Sequence, residues 1–241
     1  MRWRALAGRL RSRAPDVVKR RRIGSTVRRF HRLYYDNSTR TWQNTRWLGV
    51  RVSKCPLDLW IYQELIAELR PEVIVETGTF LGGGTLYLAC CLDLVGRGRV
   101  ISVDNVEQPN RPEHDRITYV HGSSVDPEIV DAIRQEVGSD SRVLVILDSE
   151  HNRGHVLAEL RAYAPLVTPG SYIIVEDTNI HGRPVLRGSG PGPHEAVEAF
   201  LAEGPPFVRD SSREKFYLTF NPGGYLRRTD DGEALSLTAR K

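Results

Sequence analysis

Residues 73–85, Val-Ile-Val-Glu-Thr-Gly-Thr-Phe-Leu-Gly-Gly-Gly-Thr, leave the chain few folds to choose from. Three β-branched residues run into Glu76, and a glycine-rich turn follows. Beyond it, residues 85–92 carry enough apolar side chains for a helix. The pattern predicts strand, loop and helix in that order. Glycine lets the backbone turn tightly and lets a ligand come close to it. The start of the following helix presents free N–H groups and the positive end of its dipole. In open α/β sheets, ligands bind at such a loop, at the carboxyl end of a strand. The spacing Gly78-x-x-x-Gly82-Gly83-Gly84 has neither the G-x-G-x-x-G of a dinucleotide loop nor the Gly-Lys-Ser/Thr of a P-loop.

The alternation continues downstream. Strands are expected at 99–103, 117–120, 143–147 and 171–175. Helices are expected at 84–94, 127–137, 154–163 and 194–203, with Asp126 as an N-cap. Two short strands, 207–209 and 215–220, close the pattern as an antiparallel edge. Helix 57–69 comes first and stops at Pro71. Near-continuous apolar strands are buried on both faces, as in a parallel sheet. Their alternation with helices predicts a doubly wound α/β fold. The length of 241 residues suits one such domain with extensions. We divide it into a basic segment 1–32, a cap and helix 33–71, the α/β domain 72–228 and a tail 229–241. The cap is dense in aromatics, which usually pack on something.

The formal charge of +4 conceals an asymmetry. Residues 1–32 hold eleven Arg, one Lys and one Asp, or +11, so the remainder carries −7. The basic segment suits an anionic lipid surface, and a nucleic acid less well. A solvated helix face or an organelle transit peptide would read similarly. No run approaches the ~18 apolar residues of a membrane span. The three cysteines suggest neither a disulfide framework nor a zinc site. We therefore expect a reducing, cytoplasmic setting, with peripheral membrane contact through residues 1–32.

Four predicted strands end in acids: Glu76, Asp104, Asp148 and Glu176-Asp177. A parallel sheet lines these ends along one crevice. Carboxylates so crowded repel unless something positive or hydrogen-bonding sits among them. Asp104 suits an acceptor for ribose hydroxyls. That ribose belongs to NAD and to S-adenosylmethionine alike, and a turn cap is the plain alternative. Asp148, Glu176 and Asp177 offer the hard oxygen ligands of Mg²⁺, unless caps and arginines satisfy them. His151, three residues past Asp148, suits a general base. A substrate hydroxyl on a metal ion would lose its proton more readily. His155 is the second candidate, and an isolated structural role is the alternative for either.

The E-x-G-x-x-x-G-G of the loop resembles motif I of class I S-adenosylmethionine-dependent methyltransferases. Stretches 45–60, 76–84, 148–155, 172–177 and 214–226 together resemble the cephalosporin hydroxylase-type family. That family is related to rhamnosyl and macrolide-sugar O-methyltransferases. The resemblance spans roughly 40–228 and rests on the loop, D-x-x-H and the Glu-Asp pair in order. It implies a Rossmann-like class I methyltransferase fold and methyl transfer from S-adenosylmethionine to oxygen. It also implies Mg²⁺ or another hard divalent cation, and a sugar or glycosylated natural product as acceptor. By motif position, Glu76, Gly78, Thr79, Gly82, Gly83, Asp104 and Asp148 would hold the cofactor. Asp148, Glu176 and Asp177 would hold the metal, and His151 would be the base. No iron-binding pair of His with an acid supports hydroxylation. Loop 182–193 would be a lid, with His181, Arg183 and Arg187 toward the acceptor. Such enzymes often form homo-oligomers.

Two rival readings fit parts of the sequence. An NAD-dependent oxidoreductase would share the fold class, but neither G-x-G-x-x-G nor Tyr-x-x-x-Lys is present. A non-enzymatic binding module would use residues 1–32 and leave the strand-end acids unexplained.

Overall fold

The computed structural model describes residues 21–230 apart from Asp140 and Ser189. The expectations for residues 1–20 and 231–241 lie outside it. Residues 21–36 are helical (α1). Two 3-10 turns lead to a hairpin of β1 (Arg46–Trp47) and β2 (Val50–Arg51), then α2 (Pro56–Leu69). The α/β alternation follows: β3 (Val73–Thr77), α3 (Gly83–Val95), β4 (Arg99–Asp104), β5 (Ile117–His121), α4 (Pro127–Val137), β6 (Val143–Leu147), α5 (Arg153–Tyr163), β7 (Tyr172–Val175) and α6 (Pro193–Ala202). The chain closes with β8 (Phe207–Arg209) and β9 (Tyr225–Arg228).

Seven strands form one sheet in the order β5-β4-β3-β6-β7-β9-β8. From β5 to β7 every pairing is parallel, and β9 runs antiparallel to both β7 and β8. The chain winds outward from β3 to β5, then crosses back to β6 on the other side. That reversal opens a crevice above the carboxyl ends of β3 and β6. Register brings the acids together there: Thr77 pairs with Leu147 and Val103, and Leu147 with Val175. Along that edge the residues one step further are therefore Asp104, Gly78, Asp148 and Glu176, in that order.

The apolar runs read in sequence are buried on both faces because successive residues serve two cores. Val73, Val75, Val143, Val145 and Val175 pack on α4, α5 and α6 through Ile133, Leu160 and Phe200. Ile74, Leu144, Ile146 and Ile174 pack on α2 and α3 through Ile61, Leu65, Leu88 and Leu92. Each such side chain contributes about 1.5–3 kcal/mol when fully buried.

The second closing strand was expected at 215–220, and the structure corrects this to Tyr225–Arg228. Tyr217 has φ 66, which breaks an extended run. Residues 219 and 220 seat α2 instead. The buried Asp58 carboxylate accepts from Thr219 Oγ1 at 2.5 Å and from the Phe220 N–H at 2.8 Å. Tyr225 OH donates to it at 2.9 Å. Around that anchor Cys55, Leu218 and Phe220 cluster with Tyr34, Tyr35 and Trp42. The N-terminal segment is thereby fastened to the C-terminal one.

Candidate active site

Strand β3 delivers Glu76 into the interior, where it is buried. Its carboxylate accepts from Thr85 Oγ1 at 2.5 Å and Ser102 Oγ at 2.8 Å. Burial pushes this carboxyl up, while the Lys54 charge and the two hydroxyls oppose the shift. Thr79 Oγ1 lies 2.7 Å from Ser102 Oγ and extends the network. Gly78 follows at φ 83, its N–H bonded to the Val103 carbonyl at 2.9 Å. A Cβ there would lie 2.5 Å from the Asp148 carbonyl carbon and 2.9 Å from Ser149 Cα. The turn after β6 thus crosses directly over the glycine. Gly83 is required for a different reason: a Cβ would lie 2.6 Å from the Arg51 carbonyl carbon, because β2 rests on the start of α3.

Asp148 and Asp177 converge on His151. His151 Nε2 lies 3.3 Å from Asp148 Oδ1 and 3.4 Å from Asp177 Oδ2. The ligand atoms of these three side chains all fall within 4.8 Å of one another. Lys54, from the segment between the hairpin and α2, enters from the opposite side. Its ammonium is buried between Asp148 Oδ2 and Glu176 Oε1, the latter at 2.6 Å. Burial would depress the ammonium, but the charges of Asp148, Glu176 and Glu76 hold it above its ordinary range. Burial works against His151 too, and Asp177 and Asp148 raise it to about 9. Asp148 is held low, against burial, by Lys54 and His151. Burial and the Asp148 charge push Glu176 and Asp177 up. Three acids thus share two cationic side chains, a donor set that fits a hard divalent ion on its open side.

A cavity of about 690 Å³ joins this cluster to the glycine loop. Glu76, Gly78, Thr79, Asp104, Asp148, His151 and Asp177 all line it. Three assigned residues do not. Gly82 faces Pro112 and Tyr119, and Gly83 faces the β2 backbone, so both seat α3. Glu176 is engaged by Lys54 rather than by the open cluster. Asp104 does more than expected: it accepts from the N–H groups of Phe80 and Val106 and from Arg111. Three donors leave roughly one of its four acceptor directions free. His155 also lines the cavity, but its Nε2 lies 3.1 Å from the Ser124 hydroxyl and 3.5 Å from Glu159 rather than beside the strand-end acids. His181 sits behind the His151 turn, 3.1 Å from the His151 carbonyl, and Arg183 is paired with Glu195. Neither the described residues of loop 182–193 nor His181 line the cavity. Lys54, Tyr35 and Trp42 do, and the sequence had given no sign of Lys54.

This sheet and its loaded crevice define a Rossmann-like methyltransferase. A solved structure of cmcI with Mg and SAM superposes with a TM-score of 0.60 at 22% identity, covering 78% of each chain. An apo structure of CmcI gives 0.62 over 78% of this chain and 77% of that one. The profile of the rhamnosyl O-methyltransferase/CmcI family matches residues 39–229. The rhamnosyl O-methyltransferase of Mycobacterium bovis is 39% identical over 206 residues, 83% of each chain. That of Mycobacterium leprae is 37% identical over 210 residues, 85% of this chain and 91% of its own. The chain belongs to the rhamnosyl O-methyltransferase/CmcI family and is an S-adenosylmethionine-dependent O-methyltransferase. The oxidoreductase and binding-module readings fall with that assignment.

Proposed function

We propose that the enzyme methylates a hydroxyl of a sugar, with a divalent ion held beside the acceptor and His151 as the base. The observation that carries this is the meeting of Asp148, His151 and Asp177 on one wall of the cavity. The glycine loop, which abuts the Asp148 turn, and Asp104 line the same cavity. Glu76, Gly78, Thr79 and Asp104 would hold S-adenosylmethionine, which supplies the methyl group. Asp148 and Asp177 would hold Mg²⁺, which lowers the pKa of a bound hydroxyl. Glu176 joins them only by leaving Lys54. With a cation on Asp148 and Asp177, the charges that keep His151 protonated would be cancelled, and its freed Nε2, beside those acids, could then accept the hydroxyl proton. Lys54 keeps Asp148 and Glu176 from repelling one another. The sugar acceptor rests on the rhamnosyl O-methyltransferases that the chain resembles, and on Tyr35 and Trp42, whose rings offer apolar faces at the cavity wall.

The test is methyl transfer to a panel of rhamnosides and other glycosides, with Mg²⁺ and with chelator. We expect a chelator-sensitive rate that D148N abolishes. H151A should lower kcat by about 10²–10⁴-fold. A rate indifferent to chelator removes the ion from the mechanism, and an undiminished H151A removes the base. Methylation confined to acceptors without a sugar hydroxyl overturns the substrate class.

A further inference from the structure

Helix α1 turns one side to the body and leaves the rest open. Inward, His31 Nε2 accepts from Asn179 Nδ2 at 2.8 Å, and its ring stacks on Phe220 at 5.7 Å. Arg32 Nε donates to the Pro184 carbonyl at 3.2 Å. Tyr35 lines the cavity itself. The last two turns of α1 are therefore fixed relative to the site. Outward, Phe30 is 50% and Leu33 61% exposed, with Ile23 at 38%. Helical periodicity sets Ile23 and Phe30 in one line and Leu33 beside them. Arg22 and Arg29 are exposed next to this strip, and Arg21 and Arg28 are exposed further round the helix. Asp36 is the sole acid in residues 21–36.

We propose that this face docks the enzyme on an anionic lipid surface. Phe30 and Leu33 enter the interfacial layer, and the arginines meet the headgroups. Other occupants fit less well. Residues 1–20 hold six Arg, one Lys and one Asp, so folding them over the face would add like charge. A second copy would bring the same arginines. A nucleic acid answers the charge but leaves Phe30 and Leu33 in water. A bilayer boundary offers negative groups above an apolar layer, and so answers both. Because α1 is fastened to the cavity wall, docking would also set the direction in which the cavity faces.

The experiment is co-sedimentation of the full chain with vesicles of phosphatidylcholine alone and of phosphatidylcholine mixed with phosphatidylglycerol. Binding is expected to the mixed vesicles and to fall steeply with added salt. Each arginine at an anionic surface is worth roughly a fivefold factor in partitioning. R22E/R29E should therefore lower it at least about 25-fold. F30S/L33S should lower it by about tenfold or more and leave methyl transfer to a water-soluble acceptor unchanged. No retention on the mixed vesicles overturns the proposal. Retention that ignores F30S/L33S, matched by equal binding to RNA, means that charge alone acts and also overturns it. A concentration-dependent dimer that L33S abolishes would assign the face to a second copy instead.

Discussion

Replacing Gly78 by alanine tests how the glycine loop and the acid cluster are joined. A residue with a Cβ at φ 83 carries left-handed strain of about 1–2 kcal/mol. The added atom would lie 2.5 Å from the Asp148 carbonyl carbon, inside any normal contact. Relief requires the Asp148 turn or β3 to shift, and overpacking of this kind costs about 1–3 kcal/mol. The sum is about 2–5 kcal/mol. In a protein of this size that lowers Tm by roughly 4–20 °C. Gly96 is the control: it has φ 75 and nothing within 4 Å of its would-be Cβ, so G96A carries the strain without the collision. Urea unfolding of both variants, with calorimetric titration of S-adenosylmethionine, separates the two contributions. G78A should be less stable than G96A by about 1–3 kcal/mol, and should bind the cofactor more weakly because Asp148 moves with its turn. Equal stability of the two, with cofactor affinity intact in G78A, would refute the reasoning.

Removing the Lys54 ammonium leaves Asp148 and Glu176 facing each other in a buried space. K54M should cost about 3–5 kcal/mol, and K54M/E176Q should recover part of it in urea titrations; no recovery would mean that the lysine has another partner. His31 gives a pH dependence. Burial lowers it to about 4, and its Nε2 accepts a hydrogen bond, so the folded state keeps it neutral. Below about pH 6.5 the unfolded chain takes up a proton that the folded chain refuses. Its stabilisation is therefore complete above that pH and is lost as pH falls toward 4, by up to about 3 kcal/mol. Chemical denaturation at neutral and acidic pH should show H31Q losing less stability than the parent, and an identical loss would contradict the assignment.

Much of the fold was legible because the four central strands, β3, β4, β6 and β7, are runs of apolar residues ending at an acid. Val143–Leu147 followed by Asp148 reads the same way in sequence and in space. The strand-end rule also placed Asp104, Asp148 and Asp177 on one cavity. What escaped depends on distant pairs. Lys54 is a lone lysine among aromatics, and its partners lie 94 and 122 residues away. No local pattern marks it, yet it takes Glu176 from the expected metal set. Alternating Phe216, Leu218 and Phe220 imitated a strand, whereas their backbone is bent to present Thr219 and Phe220 to Asp58. Four-residue β9, behind two glycines, was too short to stand out. Gly82 and Gly83 looked like ligand contacts because close packing and close ligand approach ask for the same residue.

The anchor at Asp58 also governs when the enzyme can exist as such during its own synthesis. It closes on Thr219 and Tyr225, 161 and 167 residues downstream. Drawing together ends so far apart costs roughly 4–5 kcal/mol in chain entropy. Such a long-range contact forms after the local strand-helix units have already appeared. A chain still emerging from the ribosome can therefore hold β3, its glycine loop and the Asp148 turn, while Tyr35 and Trp42 have no Phe220 to rest on. The cavity gains its N-terminal wall only when the last strand arrives, so an incomplete chain would carry a cofactor loop without an enclosed place for the acceptor.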